Sequence, residues 1–541
     1  MHPSLRLEKV LLRVCRELDD TSLAVLARTC RAFSSTALDV LYAAAELDTL
    51  VKCLPSDIWN SRLPSPSRGI FCQTVISRSL GDADWKTLIK YSSRVRQLSV
   101  VNGFGDVQIM EMLSGSSAHI DIFPRLSCVR IRFFVAEDTL PDEDTLSTCR
   151  FMRWLFRPTL TKLHLTLPAI MMKVLWDEAP LLGQTCPYLV KFDAYLSSYS
   201  GMSYLEYTHL FDQVICSLNP LQALDCSEVS QRTLQYIAKW PNLHTLSVLP
   251  PQSTPPLDLG PTPDQRCDPF PALRCLTVGG YTESITAFLN ANTWNLDDLI
   301  VHFDWSTCIR SFGEMTRTLA AKVSAVRLKK LFFVVMSFKD PSLEAIPIVR
   351  MDDIKPFFVF HNVTHIDLTP RCIIDIDDEM VKCMALAWPN IRILTVKQYD
   401  KQYVPPKVTL TGLVSLIQHC PRLVTFCLAI DATVVPKDPL ASPNTGVNDR
   451  ITVIEIDDSP VESPGLVAAY LSAFMPRLKE IGSWADFKSR PMGPVEQGYR
   501  EKWHLVARLV EAFTMVRSQE HTTYFDDDRS SISSSYVSSS D

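Results

Sequence analysis

"WPNLHTLSV" (Trp240 to Val248) recurs as "FPALRCLTV" (Phe270 to Val278), "WPNIRILTV" (Trp388 to Val396) and "CPRLVTFCL" (Cys420 to Leu428). Each copy carries an aromatic residue or a cysteine, then a proline, then apolar-x-x-apolar-x-apolar. The closing apolar positions alternate with polar ones, which is the period of a strand with one buried face. Without the proline, the same register reaches "VRQLSV" at Val95, "LSCVRI" at Leu126, "LTKLHL" at Leu160, "LVKFDA" at Leu189 and "LQALDC" at Leu221. It continues through "LDDLIV" at Leu296, "LKKLFF" at Leu328, "VTHIDL" at Val363, "ITVIEI" at Ile451 and "LKEIGS" at Leu478. That makes about fourteen copies, mostly roughly 22 to 35 residues apart.

Amphipathic segments separate the copies, among them "LTGLVSLIQHC" (Leu410 to Cys420) and "DDEMVKCMALAW" (Asp377 to Trp388), with apolar residues recurring at three and four. The second opens on carboxylates, which the positive end of a helix favours. A strand, a turn and a helix cannot bury their apolar faces alone, so such units must stack on their neighbours. Over residues 92–484 the sequence resembles the leucine-rich-repeat family. The resemblance implies an α/β solenoid with a parallel sheet on its concave side and helices outside. The asparagine or cysteine that the family places after its L-x-x-L-x-L core is missing from nearly every copy, which makes the repeats irregular. An α/β domain with buried parallel strands remains the alternative. Only seventeen glycines and no Gly-rich phosphate loop weigh against it.

Pro-rich stretches at Leu249 to Phe270 and Val434 to Arg450, and the acidic Ala136 to Ser147, read as loops between repeats. After the last repeat, Trp503, Val506, Leu509, Val510 and Phe513 form one helical stripe within residues 485–517. A terminal repeat needs such a helix to cover its open core. The Ser-rich acidic stretch 518–541 is too poor in apolar residues to order itself and is expected to be a disordered tail.

The first 48 residues differ from the array. Leu7, Val10, Leu11, Val14 and Leu18 share one face of a first helix. Asp20, Thr21 or Ser22 caps a second helix carrying Leu23, Leu26 and Ala27, and Ala37, Leu38 and Leu41 lie in a third. Such a unit is below the size that usually folds well alone. These residues resemble an F-box, on "SLAVLARTCRAF" (Ser22 to Phe33) followed by "ALDVLY" (Ala37 to Tyr42). Residues 49–91 look like the helical linker of large fungal F-box families. Where the family usually has a proline in its first helix, this chain has Glu8.

The F-box resemblance implies docking on the Skp-type adaptor of a cullin-based ubiquitin ligase, with the repeats holding a target protein. The docking residues would be Leu7, Val10, Leu11, Val14, Leu18, Leu23 and Leu26. A handful of apolar side chains, each worth about 1.5–3 kcal/mol when fully buried, sustains specific binding. The alternative is a ligase-independent scaffold for protein partners, its first helices serving only as an end cap.

Charge and composition exclude several classes. The formal net charge is −6, and the tail from Ser518 contributes −5 + 1 = −4 of it. The nearly neutral body has no surplus of Lys and Arg for phosphates, so no nucleic-acid partner is expected. Sixteen cysteines form no C-x-x-C pair, and Cys186 and Cys420 close apolar helical runs, as small buried thiols in a reducing compartment do. No signal-peptide core is present, and the longest apolar run, "LFFVVMSF" from Leu331, is too short to span a bilayer. A cytoplasmic or nuclear protein without a membrane partner is expected.

In an L-x-x-L-x-L strand the third, fifth and seventh residues face away from the helices. Arg130 and Arg132, Lys162 and His164, and Lys191 occupy those positions in three successive copies, while Glu455, Asp457 and Glu480 do so late. The face is expected to run from basic to acidic, and the early cations are candidates for gripping an acidic or phosphorylated segment of the target. No P-loop, G-x-S-x-G, H-E-x-x-H or metal-ligand cluster occurs. His361 and His365 read as a surface pair, and Asp375 to Glu379 as a helix cap. No enzyme activity, cofactor or metal is expected.

Overall fold

A computed structural model describes residues 8–62, 73–101, 106–114, 121–133, 143–177, 182–198, 204–251, 259, 268–304, 309–335, 348–370, 372–397, 404–436, 446–483 and 493–533. The chain divides into two compact units, Met1–Pro251 with Asp258–Leu273, and Gln252–Leu257 with Arg274–Asp541.

The first unit opens with three helices, α1 (Glu8–Arg16), α2 (Asp20–Thr29) and α3 (Arg31–Leu41). The cap of α2 is Asp19, one residue before the expected candidates, and its carboxylate accepts from the Ser22 N–H at 2.7 Å. A seven-stranded parallel sheet follows: Ala44–Glu46, Gln97–Val101, Cys128–Arg132, Lys162–Pro168, Lys191–Ser198, Ala223–Glu228 and Thr245–Leu249, side by side in chain order. Sequential neighbours in a parallel sheet require a crossover each time. Helices such as Glu143–Leu155, Tyr204–Ser217 and Gln231–Ile237 supply those crossovers.

The second unit repeats the scheme with eight parallel strands: Cys275–Tyr281, Asp298–Asp304, Lys330–Val335, His365–Thr369, Ile393–Val396, Thr425–Leu428, Val453–Glu455 and Glu480–Gly482. Every apolar-x-x-apolar-x-apolar copy thus ends in a strand. One sheet member, Ala44–Glu46, has no such copy, so the array begins before residue 92. The linker 49–91 is not wholly helical either: Trp59–Arg62 pairs antiparallel with Gln73–Ile76 between helices Leu47–Val51 and Asp82–Ser92. Helix Glu143–Leu155 starts inside the stretch expected to be an acidic loop.

Strand alternation places the core. In Lys162–Pro168 the side chains of Leu163, Leu165 and Leu167 are buried while Lys162 is exposed. The buried set packs under helices whose own apolar residues close the layer, as Met171, Met172 and Leu175 do in Ala169–Asp177. At the turns before three strands an asparagine ties one repeat to the preceding one. Asn219 donates to the Pro187 carbonyl at 3.1 Å, Asn362 to Val326 at 2.9 Å, and the buried Asn448 to Cys420 at 3.0 Å.

The terminal helix, Pro494–Ser533, buries Trp503, Val506 and Val510 and half-buries Leu509 and Phe513. Trp503 Nε1 donates to the Ser459 carbonyl at 2.8 Å, and Arg517 donates to Ser472 Oγ at 2.8 Å. The helix is longer than the cap expected over 485–517 and takes in 518–533 of the stretch expected to lack order.

Gly183, in helix Leu182–Thr185, has no room for a side chain: a Cβ there would lie 2.0 Å from the Ser217 carbonyl oxygen. Backbone cannot retreat as a flexible side chain does. Gly183→Ala is expected to destabilise the first unit by about 1–3 kcal/mol or more, read as a lower urea midpoint at unchanged slope.

Candidate interaction surfaces

The apolar residues of α1 and α2 divide into two sets. Leu11, Cys15, Leu23 and Ala37 form a small core, with Leu18, Leu26, Ala27, Phe33, Val40 and Leu41 packed around it. Leu11 and Leu23 are 5% and 2% exposed, so they hold the helices together and do not face a partner, contrary to the expectation for those two. Val10 and Val14, one turn apart on α1, are 38% and 42% exposed, and Val25 on α2 is 50% exposed. Leu18 and Leu26 are half-buried edges of the core, and Leu7 lies outside the described residues.

What joins this block to the sheet is narrow. α1 and α2 pack on α3, and α3 is tied down through Asp39, which pairs with Arg94, and through the Ser35 carbonyl, which accepts from Arg94 Nη1 at 3.1 Å. Tyr42, just past α3, rests on Tyr91 with ring centroids 4.9 Å apart. The first strands of the sheet are packed by other residues. Strand Ala44–Glu46 is its first member, and helix Leu47–Val51 buries Leu47, Leu50 and Val51 against helix Asp82–Ser92 and strand Gln97–Val101.

The second surface is the strand face of the first unit that points away from the helices. Register sets one row of Gln97, Cys128, Lys162, Lys191 and Ala223, and another of Ser99, Arg130, His164, Asp193 and Asp225. Arg132, Thr166 and Tyr195 lie in the row beyond. The five cations expected on one face are therefore on one face, on three adjacent strands. They are not equally free. Asp193 takes His164 Nδ1 at 2.5 Å and Lys191 Nζ at 3.2 Å. Arg130, Arg132 and Lys162 are exposed and make no ion pair among the described residues. Asp193 is two residues from Lys191 on the same strand, whereas its reach to His164 crosses to the neighbouring one.

Electrostatics at Asp193 follow from its partners. His164 is raised above the usual 6.5, first by the hydrogen bond to Asp193 and then by that to Cys128. Burial pushes Asp225 up against the hydrogen bonds from Ser247 and Tyr195. A histidine that gains a partner on folding binds its proton more tightly in the folded chain. Its contribution to stability is complete below the usual histidine pKa and fades as pH rises through the raised value. An NMR titration is expected to place the His164 midpoint above 6.5 and to return it toward that value in Asp193→Asn.

Of the acidic residues expected late in the array, one is paired within the sheet. Glu455 pairs with Lys397 at 2.9 Å, while Glu480 is exposed. His361 Nδ1 lies 3.0 Å from the Ala387 carbonyl and His365 Nδ1 2.8 Å from Thr364 Oγ1. Asp377 caps helix Asp378–Ala387 and Asp378 accepts from Thr409. Burial raises the Cys186 thiol to about 11 and that of Cys420 to about 12. Among the described residues no group of three or more His, Cys, Asp or Glu is placed to hold a metal ion, and no helix is long and apolar enough to cross a membrane.

No protein-family model matches the sequence, and no curated protein matches it. Among solved structures the chain is similar to one in the Rad7 and Elc1 complex from yeast, at 14% identity and a TM-score of 0.36, covering 74% of this chain and 92% of that one. It is also similar to one in the TLR13–ssRNA13 complex, at 13% identity and a TM-score of 0.28, covering 74% of this chain and 52% of that one. Both TM-scores are low, and neither likeness bears on what the chain does.

Proposed function

We propose that the chain is a substrate receptor of a cullin-based ubiquitin ligase, with α1 to α3 docking on a Skp-type adaptor and the strand array holding a target protein. The observation that carries this reading is the division of labour at the start of the first unit. Helix Leu47–Val51 packs its buried side chains on the first strands from within the array, while α1 and α2 make their main packing on α3. They keep a core of their own and leave Val10, Val14 and Val25 in solvent. A small helical block held by a narrow base, with apolar side chains still exposed, suits a docking element. The adaptor-facing set is accordingly Val10 and Val14, with Leu18 and Leu26 at its edge. No bond-making chemistry is assigned to this chain: it works by holding two proteins together.

Co-expression with a Skp-type adaptor tests the reading. The full chain is expected to co-purify with the adaptor, and Val10→Asp/Val14→Asp is expected to lose it while keeping its melting temperature, because both positions are exposed. If the parent does not bind the adaptor, the ligase-independent scaffold becomes the better account.

A further inference from the structure

Arg130, Arg132 and Lys162 are the exposed cations that the first unit's sheet leaves without an ionic partner among the described residues, and Lys191 is shared with a carboxylate. Their layout discriminates between ligands. Lys162 and Lys191 are in register with Cys128, four residues before Arg132 on the first of three adjacent strands. With strands about 4.8 Å apart and a rise of about 3.3 Å per residue, Arg132 and Lys191 are separated by about 16 Å along a diagonal, with Arg130 and Lys162 between them. One phosphate or carboxylate does not bridge that span. An extended peptide of about five residues does.

We propose that this diagonal is a docking strip for an extended, Asp/Glu-rich segment of the target protein. Arg130 and Arg132 offer planar forks for carboxylates. Tyr195, 37% exposed in the same row as Arg132, adds an amphipathic ring at the strip's upper edge. The nearly neutral body of the chain supplies no surplus of cations for a continuous line of phosphates, which sets this short strip apart from a nucleic-acid groove. Asp193 also holds His164 and Lys191 in place, so the strip's lower end is built before any ligand arrives. The inference rests on the target-holding half of the proposed function and is independent of adaptor docking.

Fluorescence anisotropy with the full chain tests it, using a labelled Glu-rich dodecapeptide, a Gln-substituted copy, a Lys-rich copy and a single-stranded RNA oligonucleotide. The Glu-rich peptide is expected to bind, weakening as salt rises, while the Gln copy does not. Arg130→Glu/Arg132→Glu should lose about tenfold or more for the Glu-rich peptide and gain binding to the Lys-rich one. The milder Arg132→Gln/Lys162→Gln should show a smaller loss and guards against a folding defect in the reversal. Adaptor co-purification measured on the same variants should be unchanged, which separates this inference from the docking reading. Equal binding of the Glu-rich peptide by parent and reversed chains overturns the proposal, and so does an RNA oligonucleotide that binds more tightly and is lost in the same variants.

Discussion

Trp503→Ala is expected to cost the second unit about 3–5 kcal/mol. The indole is 1% exposed, its Nε1 donates to the Ser459 carbonyl, and Val506 and Val510 are buried on the same helix. Truncation leaves a cavity at the end of a stack whose last strands, Val453–Glu455 and Glu480–Gly482, are only three residues long. Stability in a repeat array is close to a sum of nearest-neighbour terms, so the loss falls first on the last repeats. Hydrogen exchange in the variant should accelerate at residues 453–482 while the strands of the first unit keep their protection. Trp503→Phe retains most of the volume but not the donor, and should cost less.

Leu11→Asp is expected to unfold α1 to α3 and leave the rest of the chain folded. The side chain sits in a core with only three other fully buried residues, Cys15, Leu23 and Ala37. An isolated buried carboxylate costs several kcal/mol or neutralises itself. A block this small has little stability to spare. Its base, the Asp39–Arg94 pair and the Tyr42–Tyr91 contact, lies at the far end of α3 and does not brace α1. Limited proteolysis should clip the first forty or so residues of the variant, with the remaining fragment melting as in the parent. Leu23→Asp should behave alike, which is why exposed valines and not these leucines are the positions for testing adaptor docking.

Most of the architecture was legible in the sequence because a strand with one buried face writes its period into every copy. Residues such as Leu163, Leu165 and Leu167 are interior wherever the period puts them. The strand Ala44–Glu46 escaped because three residues carry too little periodicity, and the pair Trp59–Arg62 and Gln73–Ile76 because the stretch reads as helical linker. At α1 the limit was of another kind. A helical wheel groups Val10, Leu11 and Val14 on one apolar arc, but which part of the arc is covered depends on α3, whose packing no spacing reveals. For the strand face, alternation placed Arg130, Arg132, Lys162, His164 and Lys191 together correctly. It could not say that Asp193 reaches across to His164, because that contact depends on register between strands 29 residues apart in sequence.

Hydrogen–deuterium exchange on the full chain, with and without a Skp-type adaptor, tests the central claim most directly. The account predicts adaptor-dependent protection concentrated in α1 and α2, around Val10, Val14 and Val25, with helix Leu47–Val51 already protected in the free chain and unchanged. Protection that falls on the strand array instead, or none at all at saturating adaptor, would contradict it.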